Sequence, residues 1–383
     1  MLPIRFMLLA VLVTISAPHA PACTFCSGPI RSQSTLRMRY AAAKIVAHGV
    51  LKNPRFDPQT DRGSTDFHFT ALLKDDPARK QQKSITIPQY LPVIGETPPE
   101  YLLFCDVIEG KLEVLPGLSC RPAVLEYLKA AAIIDDADPA KKLGFFFKHL
   151  DSTDAAVASD AFLEFARASD VEILKASAQL DPAKVRALIA DPNAPLERLG
   201  VYAFLLGACG KQVDAEFLAS LLKQNPLPER TTAAFGGLLA GYVMLAPKEG
   251  WPLAAAILAD EKRGYSERLS ALGTVRFFQA TRAAESKADV LKCCAALLPV
   301  GDLADQAIED LRRWGYWDLT KDVLAQFGKP THAAPIVKRS LVRYALTCPN
   351  DEAKAFVASL RQSEPKLVRD VEEMLARFAP PKK

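Results

Sequence analysis

Asp181-Pro182-Ala183-Lys184-Val185-Arg186-Ala187-Leu188, followed by Leu196-Glu197-Arg198-Leu199-Gly200 and Leu205-Leu206-Gly207, is the stretch that decides the fold. Asp181 is a capping side chain placed just before a helical run, and Pro182 occupies the first helical position, where its missing N–H costs nothing. Apolar residues then recur at helical spacing, at Leu199, Tyr202, Ala203, Leu205 and Leu206. Two short helices, each greasy on one face and joined by a short loop, cannot hide that face alone.

The same punctuation repeats outward. Asp138-Pro139, Ser152-Thr153-Asp154 and Ser169-Asp170 mark further helix starts. Apolar stripes follow at Ala161, Phe162, Phe165 and Ala166, and later at Val323, Leu324 and Phe327. From residue 138 the period is 3.6 almost to the end, so roughly a dozen helices of about 10–18 residues are predicted, ending near Phe378. This pattern resembles HEAT or armadillo-type repeats over residues 138 to 379; a closed helical bundle is the alternative. The resemblance implies an α-solenoid of helix pairs.

Upstream the period changes. Between residues 44 and 119 apolar residues alternate or run in short blocks bounded by turn formers, which is the strand signature. Five strands are drawn at 44–51, 66–73, 84–88, 100–108 and 111–115, with Glu109-Gly110 turning the last two into a hairpin. Helices are predicted at 34–43 and 122–134. One antiparallel sheet of this size should curl into a small barrel to hide its edges. The fold class is therefore α+β in two domains, a five-stranded OB-like barrel at 23–135 and an all-α repeat domain at 136–383.

The first 22 residues read as a signal peptide, with Arg5 as n-region, an apolar run from Phe6 to Ile15, and Ala20-Pro21-Ala22 as a small-x-small cleavage site. Export follows, to a periplasmic, extracellular or envelope-associated location. Cys23 comes directly after the site, so its lipidation is an open alternative and the only membrane link expected. Net charge is +4 with no dense basic block, which argues against a nucleic-acid surface.

An exported chain meets oxidising conditions, so Cys23, Cys26, Cys105 and Cys120 form an even set of disulfide candidates with three pairings open. Cys209, Cys293, Cys294 and Cys348 fall in helical patterns and read as buried small hydrophobes. The two early cysteines, the strand around residues 45–50 and the hairpin closing on Cys120 before a helix resemble netrin-like modules. These are OB barrels that include the tissue inhibitors of metalloproteinases. The resemblance implies disulfides tethering Cys23 and Cys26 into the barrel, with Cys120 and, more loosely, Cys105 as matches. The Cys-Thr-Phe-Cys spacing differs from the Cys-x-Cys of the inhibitors, in which the N-terminal amine and first carbonyl chelate a catalytic zinc.

Catalytic motifs are few. Cys23-Thr24-Phe25-Cys26 has redox C-x-x-C spacing, but it opens the mature chain with no strand before it. No G-x-S-x-G elbow exists, and Gly236-Gly237 and Gly207 with Gly210 lie in apolar helical context with no G-K-[ST] after them. His48 and His68 on successive strands are the only histidines that could face each other. No cofactor or metal is expected. Trp314-Gly315-Tyr316-Trp317, after Arg312-Arg313, is the densest aromatic cluster. Trp314, Trp317, Arg276 and Arg313 are therefore candidates for a docking face, or else the seal between two repeats. The sequence reads as a non-enzymatic binding or scaffold protein for a protein partner of unknown identity. A thiol-disulfide oxidoreductase using Cys23 and Cys26, or a metalloprotease-inhibitor-like module, are the alternatives.

Overall fold

Alternating apolar side chains build β1 (Ile45–Asp57), β2 (Arg62–Lys74), β3 (Ser84–Ile87), β4 (Glu100–Ile108) and β5 (Lys111–Ser119) in the computed structural model. The structure describes residues 23–26, 30 and 32–377, so the leader at 1–22 lies outside the described residues. All neighbouring strands are antiparallel, in the order β3-β2-β1-β4-β5. No ladder joins β3 to β5 among the described residues, so the sheet is open.

The β1–β2 hairpin is longer than its sequence suggests. Asn53-Pro54 reads as a turn, yet the strand runs through it, because a register shift between Lys52 and Arg55 absorbs the proline and Asn53 takes a positive φ of 49°. Arg55 then pairs with Asp66 across the strands at 2.6 Å. β5 likewise passes Pro116, next to a second register shift opposite Leu102 and Phe104.

The two faces of the sheet have different fates. Ile45, Ala47, Leu51, Phe67, Ile87, Tyr101, Leu103 and Cys105 form one cluster, flanked only by other sheet residues and by Leu91 and Val93. A flat sheet could not bury this face without a covering layer, and no helix supplies one, so the strands coil around it. The opposite face, with Val46, Leu102 and Phe104, belongs to the large core shared with the helices.

Sixteen α-helices are described. α1 (Leu36–Ala42) precedes the sheet, and α2 (Pro122–Ala132) follows it. Then come α3 (Pro139–Phe147), α4 (Ala155–Arg167), α5 (Asp170–Ala176), α6 (Pro182–Ala190), α7 (Leu196–Cys209), α8 (Gln212–Leu222), α9 (Glu229–Leu245) and α10 (Pro247–Ala259). α11 (Tyr265–Leu297) is two helices joined across Arg282, whose φ and ψ are not helical. α12 (Ala304–Trp314), α13 (Thr320–Leu324), α14 (Pro335–Thr347), α15 (Asp351–Ser363) and α16 (Pro365–Arg377) complete the chain. The caps read from sequence are in place: Asp138, Asp154, Ser169 and Asp181 each accept backbone N–H groups at the starts of α3, α4, α5 and α6. Ser169 and Glu172 make a full capping box.

Contacts between helices recur at a nearly constant chain separation. Lys184 reaches Asp151 33 residues away, Arg268 reaches Asp302 and Arg276 reaches Asp310 at 34, Thr274 donates to the Gly236 carbonyl at 38, and Arg198 to Ser159 at 39. Arg230 donates to the carbonyls of Ile189, Asp191, Pro192 and Ala194, and so caps the end of α6 from the next pair.

The closest packing is between α7 and α9. From Leu199 to Gly207 every residue of α7 is buried, as are Gly237 to Val243 of α9. A β-carbon on Gly237 would overlap the Gly200 carbonyl oxygen, one on Gly207 would overlap the Gly241 α-carbon, and one on Gly241 would lie 2.5 Å from the Ala203 carbonyl oxygen. The two backbones touch because these positions carry no side chain. Gly237→Ala should therefore cost about 2–4 kcal/mol in urea unfolding, since the obstacle is backbone that cannot rotate away. Gly273→Ala on α11, whose β-carbon would meet nothing within 4 Å, should stabilise by about 0.5–1 kcal/mol through helix propensity alone. Equal effects of the two substitutions would refute the close-packing account.

Between sheet and helices lies a buried polar joint. Asp160 of α4 accepts the Leu36 N–H at 2.6 Å and the Tyr127 hydroxyl at 2.9 Å. Arg37 pairs with Asp136 at 2.8 Å and with Glu164 at 3.3 Å. Burial raises the Asp160 carboxyl to about 6, and its two hydrogen bonds recover only part of that shift. The folded state thus holds this proton more tightly than the unfolded chain. Its contribution to stability is full below the ordinary value of 3.8 and is lost as pH rises through about 6. The unfolding free energy of the native protein minus that of Asp160→Asn should accordingly grow by about 2–3 kcal/mol between pH 7 and pH 4. A difference that does not change with pH would show that Asp160 carries no shifted proton.

Candidate functional site

Two constellations stand out, one at each end of the helical region. The first is a hook formed by Cys23, Thr24, Phe25 and Cys26. The Cys26 N–H donates to the Cys23 carbonyl at 3.4 Å, closing a turn that projects Phe25 outward. Phe25 seats between Phe204 of α7 and Phe277 of α11, with ring centroids at 5.1 and 5.3 Å, and those two rings meet each other at 5.1 Å. The seat exists because glycine lines it: a β-carbon on Gly200 would lie 3.2 Å from the Phe25 carbonyl oxygen, and one on Gly236 3.6 Å from its ring. Thr24 fixes the turn from the other side, donating its N–H and hydroxyl to the two carboxylate oxygens of Asp170 at 2.9 and 2.5 Å.

Cys23 is 0% exposed and Cys26 6%. Their thiols share a hydrogen bond, and this bond, burial and the nearby Asp170 together push the Cys23 thiol well above its ordinary value. All eight cysteines are thiols in the structure. Cys120 lies in the same core cluster as Cys23 and Cys26, but Cys105 belongs to the separate cluster on the sheet's other face. β4 thus stands between Cys105 and the hook, because neighbouring strand residues point to opposite sides. The hydrogen bonds and ring contacts of Thr24 and Phe25 are to helices, whereas the netrin-like resemblance implied a tether into the sheet.

The second constellation spans α11, α12 and α14. Glu309 accepts from Arg312 at 2.6 and 3.0 Å and from Arg313 at 3.0 Å, while Arg343 Nε stands 3.8 Å away with no hydrogen bond of its own. Burial pushes the Glu309 carboxyl up, but Arg312, Arg343 and Arg313 outweigh it and hold it below the usual range. Three guanidinium groups around one carboxylate leave a local excess of positive charge. Beside them Trp314 stands edge-on to Tyr316 at 5.9 Å, Trp317 meets Tyr344 at 5.0 Å, and Lys287 lies over the Tyr316 ring at 4.9 Å.

The four residues singled out from sequence divide here. Arg313 is exposed, with 66% of its side chain accessible. Arg276 is committed to Asp310 at 2.6 Å and Gln306 at 2.9 Å, so its charge serves to hold α11 to α12. Trp314 and Trp317 are half-buried against the core, each with an accessible part. Sequence reasoning missed Arg343 and Lys287, which lie 30 residues and 26 residues from Arg313 in the chain and come near only through helix packing.

His48 and His68 share the outer face of the sheet but are out of register: His68 pairs with Val50, His48 with Ala71, and His48 faces Glu100 at 3.5 Å. Among the described residues no group of three or more His, Cys, Asp and Glu could hold a metal. A cavity of about 280 Å³ opens between α6, α7, α8 and α9, lined mainly by Ile189, Leu199, Phe217, Leu221 and Leu238. Its polar members are already engaged, Thr231 with Gln224 and Arg230 with the end of α6. Among the described residues no helix is long and apolar enough to cross a membrane.

The chain matches no family model, and no curated protein or solved structure is significantly similar to it.

Phe25→Ala should lower stability by about 2–4 kcal/mol, the range for emptying an aromatic seat that cannot collapse, as read by chemical denaturation. A loss under about 0.5 kcal/mol, typical of surface substitutions, would mean that the hook does not occupy its seat.

Proposed function

We propose that this is an exported, non-enzymatic binding or scaffold protein in which an OB-like, netrin-like barrel leads into a HEAT-type solenoid. The observation that carries this reading is the helix-to-helix contact repeating at separations of 33 to 39 residues, the spacing of a stack in which each pair buries its face on the next. Such a stack offers a long side-chain surface. The order β3-β2-β1-β4-β5, with an inner face buried by the sheet's own coiling, supports the barrel.

The face we assign to a protein partner is that of Arg313, Arg343, Lys287, Trp314 and Trp317. Aromatic rings with accessible edges beside arginines in excess of their carboxylates are the usual anchors of an interface, and they favour a partner with acidic groups. The oxidoreductase reading is weaker, because a redox thiol needs thiolate character and access, and Cys23 has neither. The inhibitor reading needs the first residue presented outward, whereas Cys23 is sealed among helices. Lipidation of Cys23 would demand that the hook leave its seat.

Capture from the native envelope tests the proposal. Protein bearing Arg313→Glu, a fully surface change, should retain its melting temperature and lose about tenfold or more in partner retention, with wild-type retention falling as salt rises. Trp314→Ala should weaken capture as well, with a moderate fall in melting temperature because its ring is half-buried. Retention indifferent to both changes, or disulfide-reducing turnover abolished by Cys23→Ser, would sink the reading.

A further inference from the structure

Cys23 and Cys26 are the ends of a closed turn, and that geometry says more than their spacing. A turn whose fourth N–H bonds to the first carbonyl brings the two α-carbons within about 7 Å, and disulfides span about 4.4–6.8 Å between α-carbons. Both side chains lie in the same buried cluster. The bridge therefore needs no backbone movement. Access is the obstacle: Cys23 is 0% exposed and Cys26 6%, so no oxidant of any size reaches either sulfur while Phe25 is seated between Phe204 and Phe277.

We propose that Cys23 and Cys26 are a disulfide modification site that must be oxidised before the hook seats, and that seating then seals whichever state has formed. The N-terminal turn is an order-of-assembly lock. Each thiol gives up one proton and one electron, and the bond forms between the two sulfurs. A disulfide such as oxidised glutathione takes both electrons and both protons and leaves as two thiols. The protonated state of buried Cys23 acts in the same direction, since exchange proceeds through thiolate. A chain folded where thiols stay reduced would keep two inert thiols under Phe25, and a chain folded under oxidising conditions would keep a bridge that reductant cannot reach. The closed turn also holds Phe25 and Thr24 in the geometry that meets their partners, so the bridge preorganises docking of the hook onto α5, α7 and α11.

The test uses the full chain refolded from urea with oxidised glutathione. Both cysteines fall on the tryptic fragment that ends at Arg31, since no lysine or arginine lies between them and that residue. The fragment should be about 2 Da lighter than after reduction, and Cys23→Ser should abolish the difference. Protein folded under reductant should resist alkylation at both positions by more than about 100-fold relative to its urea-unfolded form, and adding oxidised glutathione to it without unfolding should form no bridge. The bridged preparation should melt about 2–5 °C above the reduced one. The alkylation arm needs no variant and so stands even if Cys23→Ser folds poorly. The proposal is overturned by a fragment of unchanged mass, by a link to the peptide carrying Cys120, by an acyl adduct on Cys23, or by native thiols that react as quickly as unfolded ones.

Discussion

The backbone contact between α7 and α9 is the constraint from which the rest of the helical region follows. Two helices that meet at Gly200 and Gly237, and again at Gly207 and Gly241, lie closer than side chains would allow. Both carry apolar residues on nearly every side, so each needs cover all round, unlike an amphipathic surface helix. α6, α8 and α10 provide part of that cover. The inner side is left to the N-terminal segment, where Phe25 and Ile30 join the same cluster. The glycines therefore act twice: Gly200 lets α9 approach on one side and leaves room for the Phe25 backbone on the other.

Along the stack, one polar contact after another joins each helix to the next. Arg198 meets Ser159, Arg268 meets Asp302, and Arg276 meets Asp310. Pairs with one partner near the surface, such as Arg268 at 5% and Asp302 at 47% exposure, add modest stability once the cost of removing a charge from water is counted. Their value is in alignment, since a guanidinium that must reach a carboxylate 34 residues away tolerates few shifts of one helix along another. The aromatic face of α12 ends this series. There the arginines outnumber the carboxylates they meet, and Arg343 Nε is left without a hydrogen bond.

Much of this was legible in the chain. Strand 100–108 and the cap residues Asp138, Asp154, Ser169 and Asp181 stand where sequence puts them, because capping and alternation are local properties. The long β1–β2 hairpin was not, since its extension depends on a bulge at Asn53 and on Arg55 finding Asp66 across the ladder. The hook was visible only as a C-x-x-C motif. Its seat is made by Phe204, Gly236 and Phe277, three residues on three helices far along the chain, and no window of sequence brings them together. Arg276 misled for a related reason: an arginine near aromatics looks like an anchor until Asp310 is seen to occupy it.

The same long-range logic bears on the boundary drawn at 135/136. Tyr127 of α2 stacks on Phe145 at 6.0 Å and meets His149 at 5.0 Å, and its hydroxyl donates to Asp160. Arg37, before the sheet, reaches Glu164 and lies over Phe146 at 5.9 Å. On one face the sheet holds a core of its own, but on the other its side chains share a cluster with α3, α4 and the helices beyond. A cut at the sequence boundary would leave Tyr127 without an acceptor and Glu164 without its arginine, both formerly buried. Such stranded polar groups cost more than the apolar area alone. Burial of the joint and docking of the hook tie the N-terminal third to the helices at two separate places. The two units read from composition are thus one mechanical body, and a force or ligand that displaces the sheet acts on the seat of Phe25 through α4 and α5.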